Sequence, residues 1–342
     1  MNARAMPPMA MVLLIYRQER FVREALRGAL AQDYQNLEIV VSDDASPDGT
    51  WRIVEEEASR YRGPHRLILN RNATNLGLMG NLLAAVRLTR APYLVLAAGD
   101  DVSEPGRVRR MAETFAGAGD GGAPVTLVIS NATTIDGDGR PFAAQGAWPL
   151  NARVSAEEVF AKGMVIGGAG SAYAREVFDE FPEPDRRIYN EDAIFCQRAA
   201  LMGRIEILHD RLLRYRRHGG NISTQPAPAT AVRQMRQQIL DHCPYWRRVL
   251  QQQHADARWA VDKGLVDAET GGRLLQHMQR HLHNLDMTER ALGGQGWTTR
   301  FGAVLRQRGE PMRRQLRLLL MAVAPRFYLA AMKLRAAVRG RA

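Results

Sequence analysis

Apolar and polar positions along the first hundred residues alternate between two periods. Met9 to Tyr16 is an apolar run without polar interruption, the pattern of a strand buried on both faces of a parallel sheet. Phe21 to Ala31 predicts a helix whose Val22, Ala25, Leu26 and Ala29 share one face. Leu37 to Ser42 predicts a second strand, followed by an Asp/Ser/Pro/Gly turn over 43–50. Trp51 to Tyr61 predicts a helix, Arg66 to Asn70 a strand, Leu78 to Leu88 a helix and Tyr93 to Ala97 a fourth strand. Strands alternating with helices of this length predict a layered α/β sheet, mostly parallel.

Beyond Asp101 the pattern loosens. A helix is predicted over Arg107 to Phe115, a glycine-rich surface loop over 117–124 and a strand over Val125 to Ser130. Asp136-Gly137-Asp138-Gly139 reads as a tight hairpin turn, since the further acids of a calcium loop are missing. Ser155-Ala156-Glu157-Glu158 is a capping box that starts a helix. Met164 to Tyr173 is apolar and glycine-rich, suited to lining a cleft, and Gly167 to Gly170 lacks dinucleotide-fingerprint spacing. Glu191 to Met202 predicts a helix, and 204–208 and 212–216 two short strands. From about Pro226 strand signals vanish, with 224–228 reading as a linker. The expected division is a catalytic domain over 7–225 and a helical C-terminal region over 226–342.

Charge sharpens that division. The chain of 342 residues carries a formal +11. Residues 300–342 hold eleven Lys/Arg against the single acid Glu310, so +10 of the total lies there and +1 in the other 299 residues. A neutral body with a basic tail points to an anionic surface as partner. The tail's apolar stretch, 318–332, is broken by Pro325-Arg326 and flanked by Arg313, Arg314, Arg317, Lys333 and Arg335. That suits a segment lying on anionic lipid, with a core helix carrying solvated arginines as the alternative. No aromatic-basic stacking pattern supports nucleic acid. Two cysteines, Cys196 and Cys243, exclude a disulfide framework and favour a reducing compartment. No signal-peptide core and no apolar run of membrane-spanning length is found, so a cytoplasmic protein is expected. The i, i+4 pair His277 and His281 lacks a metalloprotease glutamate and reads as an exposed helix face.

Two aspartate pairs carry the candidate chemistry. Asp43-Asp44 and Asp100-Asp101 each follow a predicted strand, where open α/β sheets bind ligands. Up to four negative charges in one cleft call for compensation, and a divalent cation bound with a phosphorylated ligand supplies it. The competing reading of each pair is a helix cap and turn.

The segment 37–50, Leu-Glu-Ile-Val-Val-Ser-Asp-Asp-Ala-Ser-Pro-Asp-Gly-Thr, resembles the nucleotide-binding start of the family 2 glycosyltransferases, inverting enzymes with the GT-A fold. Their usual form is a strand, Asp-Asp-Gly-Ser, one residue, then Asp-Gly-Thr. Here Ala45 replaces the glycine. The resemblance implies that Asp43 or Asp44 accepts hydrogen bonds from the base, uracil or thymine. Tyr16-Arg17-Gln18-Glu19 is similar to the first-strand signature aromatic-Asn-x-Glu, with Arg17 in the place of Asn. Asn75-Leu76-Gly77 with Asn81 resembles the element that packs on the nucleoside. Asp100-Asp101 occupies the metal-site position, implying Asp101 as a ligand of Mn²⁺ or Mg²⁺ and Asp100 as a donor contact. Asn190-Glu191-Asp192 resembles the family's Glu-Asp motif and implies Asp192 as the base. Tyr215 to Ser223 resembles the downstream Tyr-Arg-x-His segment, implying His218 as a metal ligand and Arg216 or Arg217 as a diphosphate contact.

Together these imply transfer of a sugar from a UDP- or dTDP-linked donor to a hydroxyl of a glycan or lipid-linked acceptor in bacterial surface polysaccharide synthesis. The protein would act at the inner face of the cytoplasmic membrane, through its basic tail. A sugar nucleotidyltransferase is disfavoured, because Tyr16-Arg17-Gln18-Glu19 stands where a glycine-rich triphosphate loop belongs. A non-catalytic assembly partner is disfavoured by intact acids at all three sites.

Overall fold

The computed structural model describes residues 6–117, 123–142, 153–154, 159, 168–221 and 232–324. They form two compact units, 1–222 with 259–267, and 223–258 with 268–342. The capping box at 155–158, the linker at 224–228 and the tail beyond Ala324 lie outside the described residues.

The first unit opens with four parallel strands in the order β3-β2-β1-β4: β1 (Met9–Ile15), β2 (Leu37–Asp43), β3 (Arg66–Arg71) and β4 (Tyr93–Ala98). Met9 to Val12 are fully buried, as an uninterrupted apolar strand requires. Between the strands run α1 (Val22–Leu30), α2 (Thr50–Arg60) and α3 (Gly77–Val86). α1 buries the four residues of its predicted face, Val22, Ala25, Leu26 and Ala29. α3 is buried over Met79 to Leu83, Ala85 and Val86, and Gly80 is required because a Cβ there would lie 2.7 Å from Leu76 Cβ.

The second half continues with β5 (Val102–Ser103), α4 (Arg107–Gly117), β6 (Val125–Ile135), β7 (Arg153–Val154), β8 (Ser171–Ala174), α5 (Glu176–Asp179), α6 (Glu191–Met202) and β9 (Arg204–Arg216). The sheet extends past β4 through β8, β6, β9 and β5, with β7 also on β9. β8 runs antiparallel to β4 and β6, while β6 and β9 are parallel. The sheet is therefore mixed beyond β4.

Two expectations change here. The strands read at 204–208 and 212–216 are one strand, because the exposed His209-Asp210-Arg211 passes a bulge in the pairing with β6 instead of ending it. β6 correspondingly runs on from Ser130 to Ile135. β8, unpredicted, occupies the end of the glycine-rich stretch; four buried residues are too short to show a period. The hairpin turn at 136–139 is present: Ile135 bridges Pro141, and Asp136 Oδ1 accepts from the amides of Asp138 and Arg140 at 2.9 Å each.

The second unit's described residues hold helices and no strand: α7 (Val232–Asp262), which extends into the first unit's range, α8 (Ala268–Gly293), α9 (Trp297–Leu305) and α10 (Met312–Val323). Val232, Met287, Ala291, Leu292, Ala303, Val304, Leu318 and Met321 form its core. No helix among the described residues is long and apolar enough to cross a membrane.

Candidate active site

Both aspartate pairs leave the sheet at its carboxyl edge. In the parallel register Ile15 pairs with Asp43 and Leu14 with Ala98, so the pairs flank β1. Strands β2 and β4, two spacings apart, are separated by about 10 Å. The end of β1 ties both: Asp44 N donates to Ile15 O and Gly99 N to Leu14 O, each at 3.0 Å. Gly99 must lack a side chain, because a Cβ would lie 2.5 Å from Ile15 Cγ2.

In the first pair the two acids do different work. Asp44 is buried and its Oδ1 accepts from Leu76 N (2.8 Å) and Asn72 Nδ2 (2.9 Å). It thereby holds the entry to α3. Asn75 supports the same turn, its Nδ2 reaching Asp44 O and its Oδ1 accepting Gly77 N at 3.1 Å. Gly77 takes φ 74°, the left-handed conformation that glycine adopts without cost. Asn81, expected to pack on the nucleoside, is 2% exposed and spends its amide on Ser42 O, Ser42 Oγ and Asn72 Nδ2, joining β2 to α3. Asp43 differs. Its Oδ2 accepts Ser46 N at 3.0 Å and lies 3.5 Å from Arg71 Nε, while its buried Oδ1 has no partner among the described residues.

The second pair divides likewise. Asp101 is buried, and its Oδ1 accepts Arg216 N at 2.8 Å. Burial, and then the neighbouring Asp100 charge, push its carboxyl well above the usual range, against the pull of the Arg216 amide and the Arg107 and Arg216 guanidiniums. Arg107, fully buried, is pushed down to about 10 by burial and donates to Ser103 Oγ, Leu96 O and Ala169 O. Asp100 turns to His218: their Nε2 and Oδ2 are 3.0 Å apart, and Asn221 Nδ2 donates to the same oxygen at 3.1 Å. Gly220 N donates to His218 Nδ1 at 3.1 Å, which places the imidazole proton on Nε2, facing Asp100. Phe21 supports the ring from 4.6 Å.

Arg216, one of two expected diphosphate contacts, is instead a buried strut. Its guanidinium donates to Asp100 O, Asp136 O, Gly137 O and Glu24 and packs on the Phe21 ring. Arg217 has an exposed side chain and donates its amide to Ile135 O at 2.8 Å. Glu19 accepts Gly49 N at 3.1 Å, and a Cβ at Gly49 would fall 2.2 Å from its Oε1. Glu19 thus fastens the start of α2 to the loop after β1. Tyr16, 41% exposed, opens to solvent directly after β1.

Glu191 and Asp192 occupy the first turn of α6. Burial, with the Asp192 charge beside it, pushes the Glu191 carboxyl up to about 8. Burial also raises Asp192, offset by hydrogen bonds from the amides of Ala193 and Gly168. Gly168 leaves room for the Glu191 carboxyl: a Cβ there would sit 2.4 Å from Glu191 Oε1 and displace it. The 168–170 turn connects this pair to β4, because Arg107 bonds both Ala169 O and Leu96 O.

Arg71, Asn72, Ser42, Arg107 and Asn221 were not singled out in the sequence. For Asn70-Arg71-Asn72 a signal existed, since polar residues closing the third predicted strand share the carboxyl edge. Ser42, Arg107 and Asn221 carry no local signal.

The carboxylates of Asp100 and Asp101 are the hard oxygen donors that suit Mn²⁺ or Mg²⁺, whereas His218 Nε2, carrying the proton that faces Asp100, would ligate only after losing it. Asp101 Oδ1 is engaged by the Arg216 amide, and Asp100 Oδ2 by His218 and Asn221. No cluster of three or more His, Cys, Asp or Glu arranged for a metal occurs among the described residues.

The chain belongs to glycosyl transferase family 2, matching it over residues 11–181, and its fold is of the GT-A type. Membership decides against the nucleotidyltransferase alternative. An uncharacterized protein of Mycobacterium tuberculosis is 28% identical over 216 residues, covering 63% of this chain and 60% of that one. The chain thus spans about three fifths of that relative's length. Staphylococcus aureus TarS superimposes with a TM-score of 0.59 at 15% identity, over 93% of this chain and 81% of that one. Its complex with UDP-GlcNAc gives 0.53 at 18% identity, over 86% and 87%. The mannosyltransferase PcManGT of Pyrobaculum calidifontis, with GDP-Man and Mn²⁺, gives 0.50 at 16% identity, over 97% and 87%. At these identities the structural likeness is one of fold.

Proposed function

We propose that this chain is an inverting glycosyltransferase that moves a sugar from a nucleotide-diphosphate donor, UDP- or dTDP-linked, to a hydroxyl of a glycan or glycolipid in bacterial surface polysaccharide synthesis. The observation that carries the reading is the shared carboxyl edge of β2 and β4, where the buried Asp43 Oδ1 lacks a protein partner among the described residues and Asp100 Oδ2 faces His218. Complexes of fold neighbours with UDP-GlcNAc and with GDP-Man and Mn²⁺ support it.

Asp43 Oδ1 accepts a base N–H, with Tyr16 and Arg71 at the rim. Asp44, Asn75, Gly77, Asn81 and Glu19 hold the surrounding turns. Asp100 and Asp101 would hold Mn²⁺ or Mg²⁺, joined by His218 once its Nε2 proton is displaced, and Arg217 would face the diphosphate. The chemistry a bound cation supplies is neutralisation of charge on the departing diphosphate. Asp192 takes the proton of the acceptor hydroxyl. That oxygen bonds to the anomeric carbon as the bond to the diphosphate breaks, and one displacement inverts the configuration. The raised affinity of Asp192 for a proton brings it closer to the value a base needs near neutrality. The basic stretch 300–342 attaches the protein to the anionic inner face of the cytoplasmic membrane.

Calorimetry tests the donor site: UDP binding that requires Mn²⁺ is expected, and silence with UDP, dTDP and GDP alike would refute it. Asp192→Asn should lower transfer by about 10²–10⁴ while sparing donor binding.

A further inference from the structure

Six of the fourteen exposed large apolar side chains among the described residues lie on the two consecutive helices α9 and α10. Trp297, Phe301 and Leu305 are 67%, 37% and 66% exposed and recur every fourth residue along α9. Residues at that spacing form one stripe on a helix. Ala303, on the far side of α9, and Val304, beside the stripe, are buried in the core of the helical unit. The adjoining α10 repeats the pattern: Met312 and Leu316 are 83% and 53% exposed, while Leu318, Met321 and Ala322 are buried. Cations interleave these stripes, Arg306, Arg313, Arg314 and Arg317 being exposed and Glu310 the single acid from 300 onward.

We infer that α9 is a membrane-insertion helix, its Trp297-Phe301-Leu305 stripe entering the interface of an anionic bilayer while the surrounding arginines contact lipid phosphates. An aromatic and leucine stripe beside a polycationic face is the composition of helices that lie in the headgroup region. Charge complementarity selects anionic lipid, and a tryptophan at the end of the stripe suits that interface. The inference deepens the proposed membrane attachment, in which the basic tail alone made contact. It does not depend on the glycosyltransferase reading.

The test is partition of the full chain onto vesicles of phosphatidylglycerol and phosphatidylcholine. Trp297→Ser/Phe301→Ser/Leu305→Ser touches no core residue and should retain the melting temperature while lowering partition at least tenfold. Brominated lipid should quench wild-type fluorescence, and Trp297→Phe should remove most of that quenching. Unchanged partition by the triple variant, with loss on replacing Arg326, Lys333, Arg335, Arg339 and Arg341 by Gln, would overturn the insertion helix and leave the tail reading standing. No wild-type partition would overturn both. Conversion of a dimer to a monomer by the triple variant, or RNA binding tighter than vesicle binding, would assign the stripe elsewhere and overturn the inference.

Discussion

The two aspartate pairs look alike in sequence and are built differently. Around Asp43-Asp44 compensation comes chiefly from neutral donors: the amides of Ser46 and Leu76 and the side chain of Asn72, with Arg71 at the rim. Around Asp100-Asp101 it comes from buried charge, Arg216 and Arg107, and from the His218 imidazole. The first arrangement suits a neutral base, which needs an oriented acceptor. The second suits a cation and a diphosphate, whose charges change with turnover. Each pair thus has one member, Asp44 or Asp101, tied to a distant backbone amide, and under the proposed function the other, Asp43 or Asp100, meets the ligand.

The difference can be broken most forcefully at its cations. Arg216→Ala should cost about 3–5 kcal/mol in urea denaturation, because it removes a buried guanidinium charge beside the Asp100-Asp101 pair and the donor to Asp100 O and Asp136 O, while the Arg216 amide that bonds Asp101 is kept. Arg71→Ala, on the partly exposed side chain, should cost under about 1 kcal/mol and appear instead as weaker nucleotide binding. Equal losses in the two variants would erase the distinction.

Within the first pair, Asp44→Ala should cost about 1–3 kcal/mol, leaving Leu76 N without an acceptor and Asn72 Nδ2 with Asn81 alone. Asp43→Asn should keep the fold and lose about 1.5–3 kcal/mol of UDP binding, the worth of a hydrogen bond to a charged acceptor. If Asp44→Ala impaired binding alone and Asp43→Asn stability alone, anchor and contact would be exchanged.

Glu191 adds a pH signature on the catalytic side. Its folded value of about 8 lies above the ordinary 4.5, so the folded chain holds the proton more tightly between those pH values. Stability from this group is full below pH 4.5 and is lost as pH rises through 8. Melting temperatures from pH 5 to 9 should show wild type falling relative to Glu191→Gln. Parallel curves would mean the carboxyl is already ionised at pH 5.

Much of this edge was legible. The run Leu37 to Ser42 with its acids, and Tyr93 to Ala98 with its own, announce strand ends because burial on both faces imposes a continuous apolar stretch. Invisible were the long-range partners. Arg216 meets Asp101 across 115 residues and Arg107 meets Ala169 across 62, distances that no local pattern encodes. Arg216 misled for the same reason: an arginine in a signature segment gives no sign of whether its guanidinium faces ligand or core. β9 misled because a charged tripeptide resembles a turn when its bulged partner is unknown.

The smallest expected effect lies at the positions where the sequence departs from its family. Arg17 stands where Asn is usual and Ala45 where Gly is usual, and among the described residues these are the two non-glycine residues with positive φ, at 55° and 58°. Asn and Gly tolerate that conformation, whereas other L-residues pay about 1–2 kcal/mol. Glycine gives back about 0.5–1 kcal/mol through unfolded-chain entropy. Ala45→Gly should therefore stabilise by about 0.5–1 kcal/mol, and Arg17→Asn by a similar amount without the entropic offset. Arg17 N donates to Ser46 Oγ at 2.9 Å, so the two strained residues share one joint and the double variant should not be additive. Both flank the first pair; none flanks the second, where rigidity comes from buried arginines. Urea denaturation of the three variants decides the matter. Destabilisation by Ala45→Gly would show that the strain is already relieved by its surroundings, and that both sides of the edge are held by the same means.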